Sequence, residues 1–492
     1  MSEKLNRARA WQREKLDGAD VGCQPLYHVT GGVGWINDPN GFSVYQGQYH
    51  LFFQYHPYSN LWGPMHWGHV RTRDFVRWER LPVALAPDRD YDRDGCFSGS
   101  AVELPDGRQM LMYTGVRKDE EGREWQTQCL AVGDGVDYEK YDGNPVLDDR
   151  DVPPGGSTVD FRDPRIWREG DRFLAVAGDR TEDGSGSILL YESEDAFHWR
   201  YAGIVDRSGN AYGKMWECPD LFRLDGKWVL LTSPQEMRAD PGGEFHDGYG
   251  TLCIIGALDG ARGLLREHIQ AIDCGLDFYA PQTLETPEGR RIMIAWMQDW
   301  DTATYLPEDL ALPYHCMMTF PRELRLENGR LYQTPVRELE AFRGEAVLCR
   351  AVTASEPLAL PGVTGRAADL TVTVFPAGGE NPCRSFTLEL ARGGSWGITL
   401  RWECAAGTLC LDRSAGGFPG DCVNRRSFPV TPREGGSLKM RILLDRWSAE
   451  TFVNDGQRSA SCVFYIPPEA EGIRFSSEGE ARAEVEFYPL KF

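Results

Sequence analysis

Short apolar runs of β-branched and aromatic residues, bounded by Gly, Pro and Asp, dominate this chain and predict β-strands. Helical periodicity is rare beyond the first 16 residues or so. One unit recurs: an acidic or turn-forming residue, a glycine, then a short strand. It reads YQGQYHLFFQY, PDGRQMLMYTG, REGDRFLAVAG, LDGKWVLLTS and PEGRRIMIAW. Its glycines, Gly47, Gly107, Gly170, Gly226 and Gly289, are 60, 63, 56 and 63 residues apart. Five hairpins at a near-constant period indicate a repeat fold, and about 60 residues hold a four-stranded blade with its loops. A second element follows in some units: a strand end, a turn at Asp and an aromatic-rich strand, as in RTRDFVRWERL (71–81) and ESEDAFHWRYAG (192–203). The expectation is an all-β chain: an N-terminal extension (1–23), then a five-bladed β-propeller (24–335).

VRELEAFRGEAV (336–347) has apolar residues at helical spacing, and 336–350 reads as a linker. Beyond it, ADLTVTVFPA, SFTLELARG, WGITLRWEC, SLKMRILLD and SAETFVNDG alternate apolar and polar residues with turns between. That period of two predicts a β-sandwich over 351–492.

Composition narrows the function. The 492 residues suit two or three domains. Net charge is −21, from 53 basic and 74 acidic residues. Such a surface repels nucleic acid and anionic membranes and leaves a small molecule as the expected partner. Thirteen cysteines, an odd number with no C-x-x-C pair, predict reduced thiols rather than a disulfide framework. The charged N-terminus has no apolar stretch of the signal-peptide kind and no run reaches membrane-span length, so a cytoplasmic protein is expected. A homodimer is left open.

The stretch before each hairpin carries the candidate chemistry. These read Asn37-Asp38-Pro39-Asn40-Gly41, Phe97-Ser98-Gly99-Ser100, Arg162-Asp163-Pro164, Trp216-Glu217-Cys218-Pro219-Asp220 and Phe278-Tyr279-Ala280-Pro281. Turn chemistry alone explains any one of them. Propeller symmetry puts equivalent positions on one ring, so Asp38, Asp163 and Glu217 are expected to converge at one end of the channel. Paired carboxylates in a concave pocket suit glycoside hydrolysis with retention: one attacks, the other protonates the leaving oxygen and then activates water. His66 and His69 read as pocket or core residues, Trp67 and Trp78 as propeller core, and Cys218 as packing beside the acid. No metal site and no cofactor is expected.

WINDPNG (35–41), FRDP (161–164) and WECPD (216–220), with FSGSA (97–101) and FFQYHPYSNLWGPMHWGH (52–69), resemble glycoside hydrolase family 32, the invertases, fructanases and sucrose-6-phosphate hydrolases. DRWSAETFVNDG (445–456) resembles that family's C-terminal sandwich. The resemblance implies a β-fructofuranosidase acting on sucrose, sucrose 6-phosphate or short fructo-oligosaccharides through a covalent fructosyl-enzyme. It implies Asp38 as nucleophile, Glu217 as acid and base, and Asp163 as the group holding fructose hydroxyls. Trp35, Asn37, Gln54, Trp62, Phe97, Ser98, Arg162, Tyr279 and Trp296 would line the sugar pocket. Arg162 beside Asp163 is expected to keep that aspartate ionised. A phosphate on the glucosyl side would need a basic anchor, for which Lys214, Arg238 and Arg117 stand on plausible loops. The alternatives are an arabinan or xylan hydrolase on the same fold, or a non-catalytic sugar-binding protein.

Overall fold

The computed structural model describes residues 2–260, 262–307, 310–353, 355–378 and 381–492. Four four-stranded sheets and one five-stranded sheet make the five blades, and a six- and a five-stranded sheet make the sandwich. The first strands of the blades are Gly34–Tyr45, Gly95–Glu103, Arg162–Glu169, Trp216–Leu224 and Tyr279–Glu285. Each packs on the next, and the last returns to the first, so they ring the central channel. All five repeat glycines lie in the turn after the first strand with φ between +64° and +83°, which glycine adopts without strain.

The second repeated element is a side-chain-capped turn. Asp74 Oδ1 accepts from the Val76 and Arg77 N–H groups, and Asp195 Oδ1 from those of Phe197 and His198. Phe75 and Ala196, just after each aspartate, take positive φ. The ring closes through a device the repeat does not contain. Chain inserted between the second and third strands of blade V places Tyr314–His315 parallel to Gly34–Trp35 on blade I.

The N-terminal helix Glu3–Asp17 is capped by Ser2 Oγ and lies on blade I's outermost strand, Glu79–Leu85. Arg9 Nε and Trp11 Nε1 donate to the Val83 and Pro57 carbonyls, so the helix covers an otherwise open sheet edge. A 3₁₀ turn, Arg337–Phe342, buries Leu339 and Phe342 on leaving the propeller. The first sandwich strand, Val347–Thr353, starts at 347 rather than 351 and pairs with Ala481–Pro489.

The two layers share core. Leu443, Phe452 and Leu490 of the sandwich belong to the same apolar cluster as Trp35, Trp296 and Phe320 of the propeller. Buried ions cross the same seam. Arg322 bonds Asp273 and Glu450, His28 bridges Asp445 and Glu450, and Arg413 meets Asp277.

Candidate active site

Each innermost strand breaks its ladder at the same height. The register skips between Ile36 and Pro39, Phe97 and Gly99, Glu217 and Asp220, and Tyr279 and Gln282, and opposite Val176 and Gly178 on blade III. Bulges free residues from pairing and re-aim their side chains. Asp163, Cys218 and Ala280 take φ of +64°, +49° and +53° there. Three of the bulges at the channel mouth thus hold a non-glycine residue in a strained backbone conformation.

The three acids do converge, but not from equivalent slots. Asp38 and Asp163 lie inside their bulges, whereas Glu217 is the last paired residue before its own. Cys218 holds the blade IV position that Asp163 holds in blade III. Its Sγ lies 3.5 Å from both Asp38 Oδ2 and Asp163 Oδ2, and its N–H donates to Asp163 Oδ2 at 2.9 Å. The thiol is the small group around which the acids close.

A cavity of about 360 Å³ opens over them. Asn37, Gln54, Trp62, Phe97, Ser98 and Arg162 line it with the three acids. Ser98 Oγ donates to Asp38 Oδ2 at 2.7 Å and Asn37 Nδ2 to Oδ1 at 3.1 Å. Gln54 is anchored on the Cys96 carbonyl at 3.0 Å. Trp62 is 45% exposed and meets Phe97 edge-on at 6.1 Å, forming a lip.

Trp35, Tyr279 and Trp296 lie behind this lining rather than in it. Trp35 Nε1 donates to Asn37 Oδ1 at 2.8 Å, which fixes how Asn37 faces Asp38. Tyr279 Oη lies 2.6 Å from Glu217 Oε2 and 2.9 Å from the Ser233 carbonyl. Trp296 is fully buried and edges Trp35, Tyr279 and Trp300. Trp300 and Tyr249 line the cavity in their place, with Glu124, Gln126, Val159, Asp160 and Gln235. These lie outside the innermost strands, where the repeat carries no signal. Trp67 is fully buried and Trp78 half-buried, both in core; His69 pairs with His50 at 3.0 Å and His66 with the Pro64 carbonyl.

Arg162 does not turn to Asp163. Its guanidinium bonds Glu217 Oε1 at 2.9 and 3.1 Å and Asp160 Oδ1 at 2.8 Å. Asp163 is pushed up to about 7, first by burial and then by the Glu217 and Asp38 charges, against the pull of Arg162. Burial therefore outweighs the neighbouring cation. Asp38 is also raised, again chiefly by burial, while its bonds from Ser98 and Asn37 pull it down.

Residues 28–335 match the family model Glycosyl hydrolases family 32 N-terminal domain, and 338–489 match Glycosyl hydrolases family 32 C terminal. A sucrose-6-phosphate hydrolase of Zymomonas mobilis is 35% identical over 478 residues, covering 93% of this chain and 90% of that protein. A raffinose invertase of Escherichia coli is 36% identical over 464 residues, covering 92% and 91%. Among solved structures, a mutant GH32 β-fructofuranosidase of Bombyx mori in complex with sucrose is similar with a TM-score of 0.85 and 31% identity, over 100% of this chain and 99% of that one.

Proposed function

Because this chain belongs to glycosyl hydrolase family 32, we propose that its acid-lined cavity is the active site of a retaining β-fructofuranosidase. It hydrolyses the terminal β-fructofuranosyl bond of sucrose, a phosphorylated sucrose or a short fructo-oligosaccharide. The observation that carries this reading is the gathering of Asp38, Asp163 and Glu217 around Cys218 under one cavity.

Asp38 is the nucleophile. Both its oxygens are held by neutral donors, Ser98 and Asn37, which orient the carboxylate without cancelling its charge. It attacks the anomeric carbon, and a covalent fructosyl-enzyme forms as the glycosidic bond breaks. Glu217 gives its proton to the departing oxygen and later takes one from the attacking water. Tyr279 Oη has one proton and two acceptors within reach. It donates to Glu217 Oε2 at 2.6 Å or to the Ser233 carbonyl at 2.9 Å, which fixes how the carboxyl faces the cavity. Asp163 receives fructose hydroxyls and, ionised, the positive charge of the oxocarbenium-like transition state. Trp62 and Phe97 offer apolar faces to the sugar.

Residues 24–335 carry the chemistry, and the sandwich braces the wall behind it. Thirteen unpaired thiols fit a reducing compartment and support a cytoplasmic setting as part of this proposal.

Hydrolysis of sucrose in aqueous methanol tests the mechanism. Methyl β-fructofuranoside as trapped product, with Asp38→Ala folded and slowed by roughly 10³-fold or more, supports it. The α-anomer, or near-normal turnover by Asp38→Ala, would overturn it.

A further inference from the structure

Glu217 meets the leaving oxygen, so the departing sugar lies against the wall that continues outward from Glu217. That wall is built of charge. Arg162 joins Glu217 to Asp160, which lines the same cavity, and Asp160 Oδ2 lies 3.7 Å from Arg180 Nη1. Arg180 ends the second strand of blade III, and a tight turn follows in which the Gly184 N–H bonds the Thr181 carbonyl.

Gly184 has φ +81°, and a Cβ there would lie 3.5 Å from Lys214 Nζ and 3.9 Å from Arg180 Nη2. The two nitrogens are thus no farther apart than the sum of those distances. Lys214 stands three residues before Glu217, and its N–H is tied to the carbonyl of Gln235, another cavity residue. An ammonium and a guanidinium face each other across a side-chain-free gap just outside the cavity lining, next to its residues Asp160 and Gln235.

Their charge is not used up locally. Lys214 Nζ bonds only the neutral Asn210 Oδ1, at 3.0 Å, among the described residues. Arg180 has one long ion pair, to an Asp160 that Arg162 already bonds at 2.8 Å. Asp183, the carboxylate of the same turn, is fully exposed and accepts from Thr181 Oγ1 and the Ser185 N–H; Lys214 acts on it only weakly, after those bonds and Arg207. In a chain of net charge −21, two adjacent under-compensated cations are out of character with the surface. The other basic candidates are placed differently. Arg238 is 88% exposed, its ion pair to Asp247 being 3.9 Å long, and Arg117 stacks on Trp125.

We infer that Arg180 and Lys214 are specificity-determining residues that hold a phosphate monoester on the leaving sugar, as in sucrose phosphorylated on its glucosyl 6-hydroxyl. The inference rests on the β-fructofuranosidase reading above. Guanidinium and ammonium on either side of a phosphate make charge-assisted hydrogen bonds to separate oxygens.

The test is kcat/KM for sucrose 6-phosphate and for sucrose on the purified full-length chain, for the parent, Arg180→Gln, Lys214→Gln and the double variant. The expected parent ratio favours the phosphate by about tenfold or more, equivalent to about 1.4 kcal/mol. The ratio should narrow as salt rises. Each single variant should cut it several-fold through KM, the double variant should bring it near one, and Lys214→Arg should restore most of it. Sucrose turnover by the same preparations reports that the variants fold. Glucose 6-phosphate should inhibit the parent more tightly than glucose, and the double variant equally with both. A parent ratio near one, or a ratio unmoved in the double variant, overturns the anchor while leaving the fructosidase reading intact. Release of fructose from neither substrate by the parent would overturn that reading itself.

Discussion

Asp163 sits inside the protein with two other carboxyls around it, and a negative charge there is costly. Its ordinary value is 3.8, and in the fold it rises to about 7. Between those values the native state keeps a proton that the unfolded chain has released. Stability therefore falls as pH rises from about 4 to about 7. Asp163→Asn keeps the acceptor for the Cys218 N–H and removes the titration. The variant should melt above its parent at pH 8 and alongside it near pH 4, while activity falls by two orders of magnitude or more. Melting below the parent at pH 8 would contradict this account. The same residues show how far sequence reaches. The motifs mark the three acids, Asn37 and Ser98, and the repeat brings their stretches to one end of the channel, although Glu217 stands one position off the slot that Asp163 holds. The direction of Arg162 was not legible, because three carboxylates, Asp160, Asp163 and Glu217, compete for it and only three-dimensional distance decides among them. Trp35, Tyr279 and Trp296 were legible as members of the site but not as its rear wall, since nothing in their motifs distinguishes touching sugar from touching Asn37 or Glu217.

At the scale of the element, the hairpins and the bulges were unequally visible. A glycine after an acidic residue announces a turn. A bulge is a property of pairing between two strands and leaves only a proline or a glycine behind. Gly99 separates the two cases. Its position in blade II needs space rather than positive φ: a Cβ would lie 2.0 Å from the Met112 carbonyl oxygen and 2.7 Å from Tyr113 Cα. Its N–H donates to Asn40 Oδ1, and its carbonyl accepts from Gln282 Nε2, tying blade II to blades I and V one residue after Ser98. Gly99→Ala must push the innermost strand off its neighbour, costing about 1–3 kcal/mol. It should lower kcat on sucrose at least tenfold by moving Ser98 from Asp38. Gly107→Ala, at φ +83° in a turn with open space around it, should cost about 1 kcal/mol and leave kcat near normal. Equal kcat in the two variants would show that the bulge does not position Ser98. The closing strand Tyr314–His315 lay beyond any pattern, since two residues carry no periodicity.

At the scale of the whole molecule, the sandwich reaches the catalytic layer through its core and through a buried charge network. His28 Nδ1 meets Asp445 at 2.8 Å and Nε2 meets Glu450 at 2.9 Å, with Arg322 on the other oxygen of Glu450. Burial alone would push His28 down, but the two carboxylates outweigh it and raise it to about 9. Asp445 and Glu450 are held below their ordinary values, against burial, by His28 and, for Glu450, by Arg322 first. The imidazolium therefore contributes fully below about 6.5, where the unfolded histidine is charged as well. That contribution, on the order of 3 kcal/mol, is lost as pH rises through about 9. His28→Gln should lower the melting temperature by several degrees at pH 6, because two buried carboxylates lose their cation. The gap to the parent should shrink steadily between pH 7 and pH 10 as the parent gives up its own proton. Leu443 and Phe452 flank this network and pack into the cluster that contains Trp35 and Trp296, so loosening the seam should reach catalysis. Sucrose turnover by His28→Gln should consequently fall at a lower temperature than that of the parent at pH 6, in step with its melting. A gap in melting temperature that stays constant from pH 6 to pH 10 would mean that His28 acts through packing and not through charge.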